Sequence, residues 1–376
     1  MLVSLQRTYA QTGVTTYYLI LRDEYRKRGH DVTVVTTEAT PGLFYFFVRL
    51  NRKVLHPLLP QNIRLWWNER EDFLSIYLAV RRVRRAKAWD IIHGQDPNSS
   101  CAAVLATGGR TPVVTTCHFS DSPVRERCDG SNMSRRQVQK VTDWFTYLCS
   151  KVRHYIYVSD YVYRQSRDLL TEPYSHTVIP NGVVFGPRTT RVRSGTLHIT
   201  NIGRLETGKN QILLILAAQH LLARGFDFHI HFLGTGHAME EWKTKVEAWG
   251  LSAVITFHGF RDDRLEFLKA SDLYIHTSLK ENSSFAIMEA IAAGVPVFAL
   301  DVGGVPEQLP SSRAGLLDPG ISPEDLADKI VGIAAPERLQ ALQLAQYGHA
   351  WPGFTIDSMI ENTLSYYGGL HPRPVT

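Results

Sequence analysis

What the chain lacks narrows its function before any motif is read. Its four cysteines, Cys101, Cys117, Cys128 and Cys149, are scattered, with no CxxC pair and no histidine at metal-ligand spacing. That pattern argues against a disulfide framework or a structural zinc site and is read as reduced thiols, mostly buried. No uninterrupted apolar run reaches the length of a membrane span, and the N-terminus lacks the basic, apolar and small-residue order of a secretory signal. A cytoplasmic location is therefore expected. No GxGxxG follows a first strand with a ribose-binding acid downstream, which argues against a dinucleotide oxidoreductase. Charge of one sign is also scarce: a formal net charge of +5 and a pI near 8.9 select neither nucleic acid, nor membrane, nor anionic metabolite. No nucleic-acid fold signature is present.

What is there is enough for two globular domains: 376 residues, 44% hydrophobic and only 20% charged. The most informative stretch runs from Glu281 to Glu289. An apolar segment, Leu273 to Thr277, turns through Asn282, Ser283 and Ser284, all good N-cap residues. A helical face of Phe285, Ile287, Met288, Ile291 and Ala292 follows, and stops at Gly294 and Pro296. A helix start beneath a parallel strand presents free N–H groups and partial positive charge, a place for a diphosphate. Glu281 and Glu289 flank that place, eight residues apart and so at most about 12 Å along a helix. Each carboxylate can accept hydrogen bonds from a diol. An ordinary capped helix with two exposed glutamates has the same pattern.

A second turn adds fixed positive charge. Gly203-Arg204-Leu205-Glu206-Thr207-Gly208-Lys209 follows the apolar segment Leu197 to Ile202, and Arg204 and Lys209 could both clamp phosphate oxygens. With these two turns the chain resembles the retaining glycosyltransferases of family 4. That family has the GT-B fold, and its signatures are a GRLxxxK turn and two glutamates separated by seven residues. Phe232-Leu233-Gly234-Thr235-Gly236, Phe257-His258-Gly259-Phe260, Ala293-Gly294-Val295-Pro296-Val297 and Val302-Gly303-Gly304-Val305-Pro306-Glu307 extend the resemblance. It covers residues 2 to 367 and is densest after 197.

Along the chain, Met1 to Leu5 reads as a strand and Gln6 to Gly13 as a loop. A helix then runs through Tyr17, Leu21 and Tyr25 to Gly29-His30, and Asp31 to Thr36 reads as the next strand. The resemblance implies a glycine pair beside the donor here; Thr12 stands in the first place and Gly13 in the second. Residues 38 to 70 match no motif. Their aromatic and basic residues, Leu43 to Val48, Arg49, Arg52, Lys53 and Trp66-Trp67, fit either an irregular subdomain packed inward or an interfacial patch. A helix is expected from near Glu71. The basic run Arg81 to Lys87 at its end reads as a solvated helix terminus or an anion surface.

Strands are expected at Asp90 to His93 and Thr111 to His118, with Ser100 to Ala106 helical between them. This places His93, Gln95 and His118 at strand ends, where ligands bind in open α/β sheets. His93 reads as structural. The TxH context of His118 is similar to the family's, which implies contact with the transferred sugar. Ser134 to Lys151 reads as a capped helix, Tyr155 to Ser159 as a strand, and Ile179-Pro180-Asn181-Gly182-Val183 as the family's IPNGVD turn with Val184 in place of Asp. The linker falls between Phe185 and Gly195. Strands near 197 to 202, 228 to 233, 254 to 258, 273 to 277 and 295 to 300 alternate with helices, implying a doubly wound parallel sheet. After Pro336 the chain reads as helical to about Tyr367, broken at Trp351-Pro352. The resemblance implies that the last helix crosses back to the N-terminal domain.

The expected architecture is α/β: two Rossmann-like domains facing a cleft, with an acceptor-side domain over 1–186, a nucleotide-sugar domain over 187–350 and a returning helix over 351–376. The expected function is retaining transfer of a sugar from a nucleotide-diphosphate sugar to an acceptor hydroxyl. Arg204, Lys209, Glu281 and His118 would serve catalysis. Gly13, Arg204, Lys209, Arg261, Glu281, Asn282, Ser283, Ser284, Phe285 and Glu289 would hold the donor, with Glu289 on the ribose and Glu281 on the sugar. No protein nucleophile is evident, and no DxD-like pair stands beside the phosphate motifs, so neither metal nor cofactor is expected. The acceptor is a glycan, a small molecule or a lipid-linked molecule at the inner face of the membrane. An epimerase of the same fold and a non-catalytic nucleotide-sugar-binding protein are the competing readings.

Overall fold

Strands separated by helices return each time to the same end of a sheet, so they pair in parallel. Both halves of the chain do this. The computed structural model describes residues 1–10, 12–129, 133–186 and 195–370. The chain forms two compact units, Met1–Pro180 with Met359–Thr376, and Asn181–Ser358. They divide after Pro180 and after Ser358, where the sequence reading has divisions at 186 and 350. The expected linker falls largely on residues 187–194, which lie outside the described residues.

The first unit contains β1 (Leu2–Val3), α1 (Gly13–Lys27), β2 (Val34–Val35), α2 (Gly42–Val54), α3 (Gln61–Arg84), β3 (Ile92–Gly94), α4 (Pro97–Thr107), β4 (Val113–Cys117), α5 (Pro123–Cys128), α6 (Arg135–Lys151), β5 (His154–Tyr157), α7 (Asp160–Ser166) and β6 (Ser175–Val178). The strands form one parallel sheet in the order β2-β1-β3-β4-β5-β6. Helix starts follow side-chain chemistry. Asp96 caps α4 by accepting from Ser99 N at 2.7 Å, and at α6 the Ser134 N–H donates to Gln137 Oε1 at 2.8 Å within a capping box. The core gathers Val3, Val35, Ile76, Val80, Ile92 and Val113.

Two expectations change here. The segment 38–70 is a pair of helices rather than an irregular subdomain: α2 buries none of its side chains, and Phe46, Phe47, Trp66 and Trp67 stay exposed. Helix α3 also begins at Gln61, ahead of Glu71. Ile63, Trp66 and Trp67 are exposed apolar residues in its first turns, so the apolar pattern there does not mark a buried face. At its other end Arg84 donates to the Ala106 carbonyl at 2.6 Å and Lys87 pairs with Asp31, as a solvated helix terminus does.

The second unit continues with β7 (Leu197–Ile202), α8 (Gln211–Ala223), β8 (Phe228–Leu233), α9 (Met239–Ala248), β9 (Ile255–Gly259), α10 (Arg264–Lys269), β10 (Leu273–His276), α11 (Phe285–Ala292), β11 (Val297–Leu300), α12 (Val305–Gln308), β12 (Leu316–Leu317), α13 (Pro323–Ile333) and α14 (Pro336–Ala350). Its sheet is parallel, in the order β12-β11-β10-β7-β8-β9. Leu197, Ile199, Ile230 and Phe232 face one apolar core with α8, while Tyr274, Val297 and Ala299 share another with α11. The last helix, α15 (Ile356–Gly368), brings Tyr367 within the first unit to Tyr25 OH at 3.4 Å and to His93 Nδ1. Among the described residues no helix is long and apolar enough to cross a membrane.

Candidate active site

The motif turns of the second unit are locked together backbone to backbone. Gly203 N donates to Leu233 O at 2.9 Å, Leu205 N to Thr235 O at 3.0 Å, and Gly234 N to Gly259 O at 2.7 Å. A Cβ on Gly234 would lie 2.0 Å from Gly203 O, and one on Gly236 would lie 2.1 Å from Leu205 O. The glycines of the GTG loop are there because the GRL turn rests on them. Beyond Arg204 the chain makes one tight turn over Thr207–Lys209, and Asn210 leaves it at φ +53. The end of β10 clips this turn in place: Thr277 Oγ1 donates to Lys209 O at 2.8 Å and Leu279 N to Gly208 O at 3.0 Å.

Lys209 and Glu281 meet directly. The ammonium donates to Glu281 Oε2 at 2.8 Å, and His276 Nε2 lies 3.0 Å from the same oxygen. His276 Nδ1 is 3.1 Å from Tyr274 OH, which reaches back to Ile202 O at 3.3 Å. Burial raises the pKa of the Glu281 carboxyl, but the Lys209 charge and the His276 contact outweigh it and hold the group well below the usual carboxylate range. From behind, Gly304 N donates to Glu281 O at 3.2 Å, and a Cβ on Gly303, whose φ is +57, would lie 1.9 Å from that oxygen.

Helix α11 then starts on a pegged loop. Ser284 is its N-cap, accepting from Ile287 N at 3.5 Å, and its own N–H and C=O are both held by the Gln308 side chain at 2.8 and 3.0 Å. Asn181 Nδ2, from the IPNGV turn, donates to Ser283 O at 2.8 Å. The N–H of Ser284 is thus committed within the protein. Those of Ser283, Phe285 and Ala286 have no protein acceptor among the described residues, and Ser283 Oγ is buried without a partner. Glu289, a turn further on, forms a two-point pair with Arg264 at 2.7 and 2.9 Å.

Within the second unit, Arg204 and Arg261 are engaged by other acids. Arg204 is exposed and pairs with Glu206 at 3.1 Å; Arg261 pairs with Asp263 at 2.8 and 2.6 Å and touches neither glutamate. In the first unit, Gly13 opens α1 behind the N-cap Thr12. His118 follows β4, with Nε2 at 3.0 Å from Gln95 Oε1 and its ring edge-on to Tyr17 at 4.7 Å. Burial pushes its imidazole down to about 3, so it is neutral: Nε2–H donates to Gln95 and Nδ1 is left as an acceptor. His93 is buried between Thr116 and Tyr367. Motif reading missed His276, Arg264, Gln308 and Asn181 as partners of the site. Only Asn181 stood in a quoted motif.

Residues 11–185 match the family described as Glycosyltransferase Family 4, and residues 188–348 match Glycosyl transferases group 1. The chain belongs to the GT4-type glycosyltransferases. It is 25% identical over 337 residues to the phosphatidylinositol N-acetylglucosaminyltransferase gpi3 subunit of Schizosaccharomyces pombe, covering 85% of this chain and 69% of that one. It is also 25% identical over 356 residues to the phosphatidyl-myo-inositol mannosyltransferase of Mycolicibacterium smegmatis, covering 89% and 84%. The crystal structure of Anabaena HepE with UDP and glucose superimposes with a TM-score of 0.72 at 19% identity, covering 98% of this chain and 99% of that one. The fold is GT-B, and the activity is glycosyl transfer.

Proposed function

We propose that this GT4-type enzyme moves a sugar from a nucleotide-diphosphate sugar to an acceptor hydroxyl with retention at the anomeric carbon and without a metal ion. The observation that carries the reading is the juxtaposition of Lys209, Glu281 and the uncommitted N–H groups at the start of α11. Diphosphate oxygens would accept from Ser283, Phe285 and Ala286 N–H, from Ser283 Oγ and from the cations Lys209 and Arg204, which can turn to it from Glu206. That HepE was solved with UDP and with UDP-glucose supports a donor of this class.

As the bond from the anomeric carbon to the phosphate oxygen breaks, its electron pair goes to the diphosphate, and the fixed donors stabilise that charge without reorganising. The acceptor oxygen bonds to the same face of the carbon, and its proton passes to the leaving phosphate oxygen. Glu281, ionised at any working pH, would hold a sugar hydroxyl; Glu289 would accept from the ribose diol on the lone pairs Arg264 leaves open. Gly13, His118, Arg261, Asn282 and Ser284 keep supporting roles on the donor side, Ser284 through its cap rather than its N–H. The acceptor is proposed to be a lipid-linked molecule, with peripheral contact at the membrane.

The test is nucleotide release from a panel of donors, with and without candidate acceptors, in excess chelator, with the product anomer assigned by NMR. Acceptor-dependent release and retained configuration are expected. Full release without acceptor would replace transfer by epimerisation. An inverted product would remove the front-face course, and loss of activity restored by magnesium or manganese would remove metal independence.

A further inference from the structure

Helix α2 is 13 residues long, contains no acidic residue and buries none of its side chains. Leu43, Phe46, Phe47, Leu50 and Val54 recur at helical spacing on one face, and that face is open: Phe47 is 55% and Leu50 45% exposed. An amphipathic helix ordinarily turns such a stripe to the core, and a contiguous open apolar surface marks a binding site. Opposite it, α3 presents Trp66, Trp67 and Leu74, and the groove between the two helices has a volume of about 880 Å³.

A second cavity adjoins the groove. Trp66 and Arg70 also line an inner cavity of about 230 Å³, whose other walls include Glu69, Arg127, Lys140 and Trp144. The Arg70 guanidinium stands at the junction, 3.7 Å from the centre of the Trp66 ring and 4.3 Å from a Trp144 ring. Glu69 is buried against Asn98 and Arg127, and the Trp144 indole N–H is buried without an acceptor. Phe145 on this cavity's wall packs edge-on against Phe119, the residue after His118. The inner cavity therefore lies beside the carboxyl end of β4, the end of a parallel sheet at which ligands bind.

A largely apolar groove, with Glu71 on its wall paired to Arg52, thus adjoins a compartment with three cations and one acid. We propose that the α2/α3 groove holds the hydrocarbon chain of the acceptor, a lipid with an anionic headgroup that enters the Arg70, Arg127 and Lys140 compartment. The inference rests on the transferase reading and names its acceptor class.

The probe is a series of n-alkyl phosphates from hexyl to dodecyl, each kept below its micelle concentration and titrated calorimetrically into the whole protein. One equivalent should bind, and affinity should rise by about fourfold per methylene until the groove is full. Leu50→Glu and Phe47→Glu, both at exposed positions, should abolish the chain-length gain while leaving UDP affinity unchanged, which also shows that the variants are folded. Arg70→Met should weaken all chains equally. Affinity independent of chain length, or unchanged in the α2 variants, overturns the proposal. So does binding confined to phosphatidylglycerol vesicles, which would make the face a membrane-docking surface, or a dimer that Leu50→Glu dissociates. Chain-dependent binding in a protein that transfers no sugar to any acceptor would leave the groove assignment standing and remove the transferase reading instead.

Discussion

Removing the Lys209 ammonium isolates the central electrostatic contact. Lys209→Met keeps the length of the side chain but leaves the Glu281 carboxylate with His276 and the Asn282 N–H, 3.3 Å from Oε1, as partners. Breaking a buried pair by deleting one partner costs about 3–5 kcal/mol. Here the two side chains are 25% and 16% exposed and His276 Nε2 remains 3.0 Å away, which reduces the expected loss to about 2 kcal/mol. For a unit of this size that is about 4–8 °C in the midpoint of thermal unfolding. The loss should depend on pH in a defined direction. In the wild type the folded pKa of Glu281 is depressed, so its contribution is complete above the ordinary carboxylate range near 4.3 and is lost as pH falls through the folded value. In Lys209→Met the cation that offsets burial is gone, and burial moves the carboxyl upward. The variant then loses stability as pH rises through the raised pKa. The deficit should be largest at pH 7–8 and shrink toward pH 4.5. A double-mutant cycle with Glu281→Gln should show a coupling of about 1–2 kcal/mol, because the amide no longer needs the cation. Additive losses, or a deficit equal at both pH values, would refute the view that Lys209 holds Glu281 ionised.

Glu289→Ala should weaken UDP binding by about tenfold, the loss of one charge-assisted hydrogen bond, while Glu281→Ala leaves it within about threefold and lowers turnover by about a hundredfold; equal UDP affinity in wild type and Glu289→Ala, read by calorimetry, would sink the ribose assignment. Gly303→Ala removes no chemistry, yet its Cβ would lie 1.9 Å from Glu281 O at a φ of +57, so a loss of at least about 2 kcal/mol in urea unfolding is expected, with a matching fall in activity. Burial holds His93 and His118 at about 3, so the unfolded chain takes up their protons first and stability should fall as pH drops below about 6.5, by up to ~1.4 kcal/mol per pH unit for each; His118→Gln should flatten that acid limb.

The second unit was largely legible because its strands are short apolar runs bounded by glycine and its helices begin on cap residues. Leu197–Ile202 and Phe228–Leu233 lie where the sequence placed them, and Ser284 takes the cap position for which Asn282 and Ser283 also qualified. Contacts across the sheet were not legible. His276 is five residues from Glu281 and Arg264 is 25 from Glu289, and nothing local distinguishes them from other histidines and arginines. The first unit resisted for a different reason. Periodicity reveals a helix by the stripe it buries, and α2 buries nothing, so a stretch of six apolar residues with basic neighbours read equally well as core and as surface.

The glycine motifs lie between these cases, and they explain why the site is recognisable in a chain only about a quarter identical to its relatives. Gly234 and Gly236 bear on Gly203 and Leu205, and Gly303 bears on Glu281, in each case as backbone against backbone. None of the three needs chemistry of its own. Each sets how closely one strand-end loop can approach the next, and so the height at which Arg204, Lys209 and Glu281 stand above the sheet. A Cβ at Gly303 would displace Glu281, and one at Gly234 or Gly236 would displace Gly203 or Leu205 on either side of Arg204, whereas the apolar side chains beneath need only keep volume and pattern. The same division holds within α11. Ser284 and Gln308 satisfy each other's main-chain and amide groups, which fixes the helix start and leaves the N–H groups of Ser283, Phe285 and Ala286 without a protein acceptor among the described residues. The proposed anion site would thus be framed by Ser284 and Gln308, which need not touch the anion, and for that reason a motif marks the place while the geometry names the free donors.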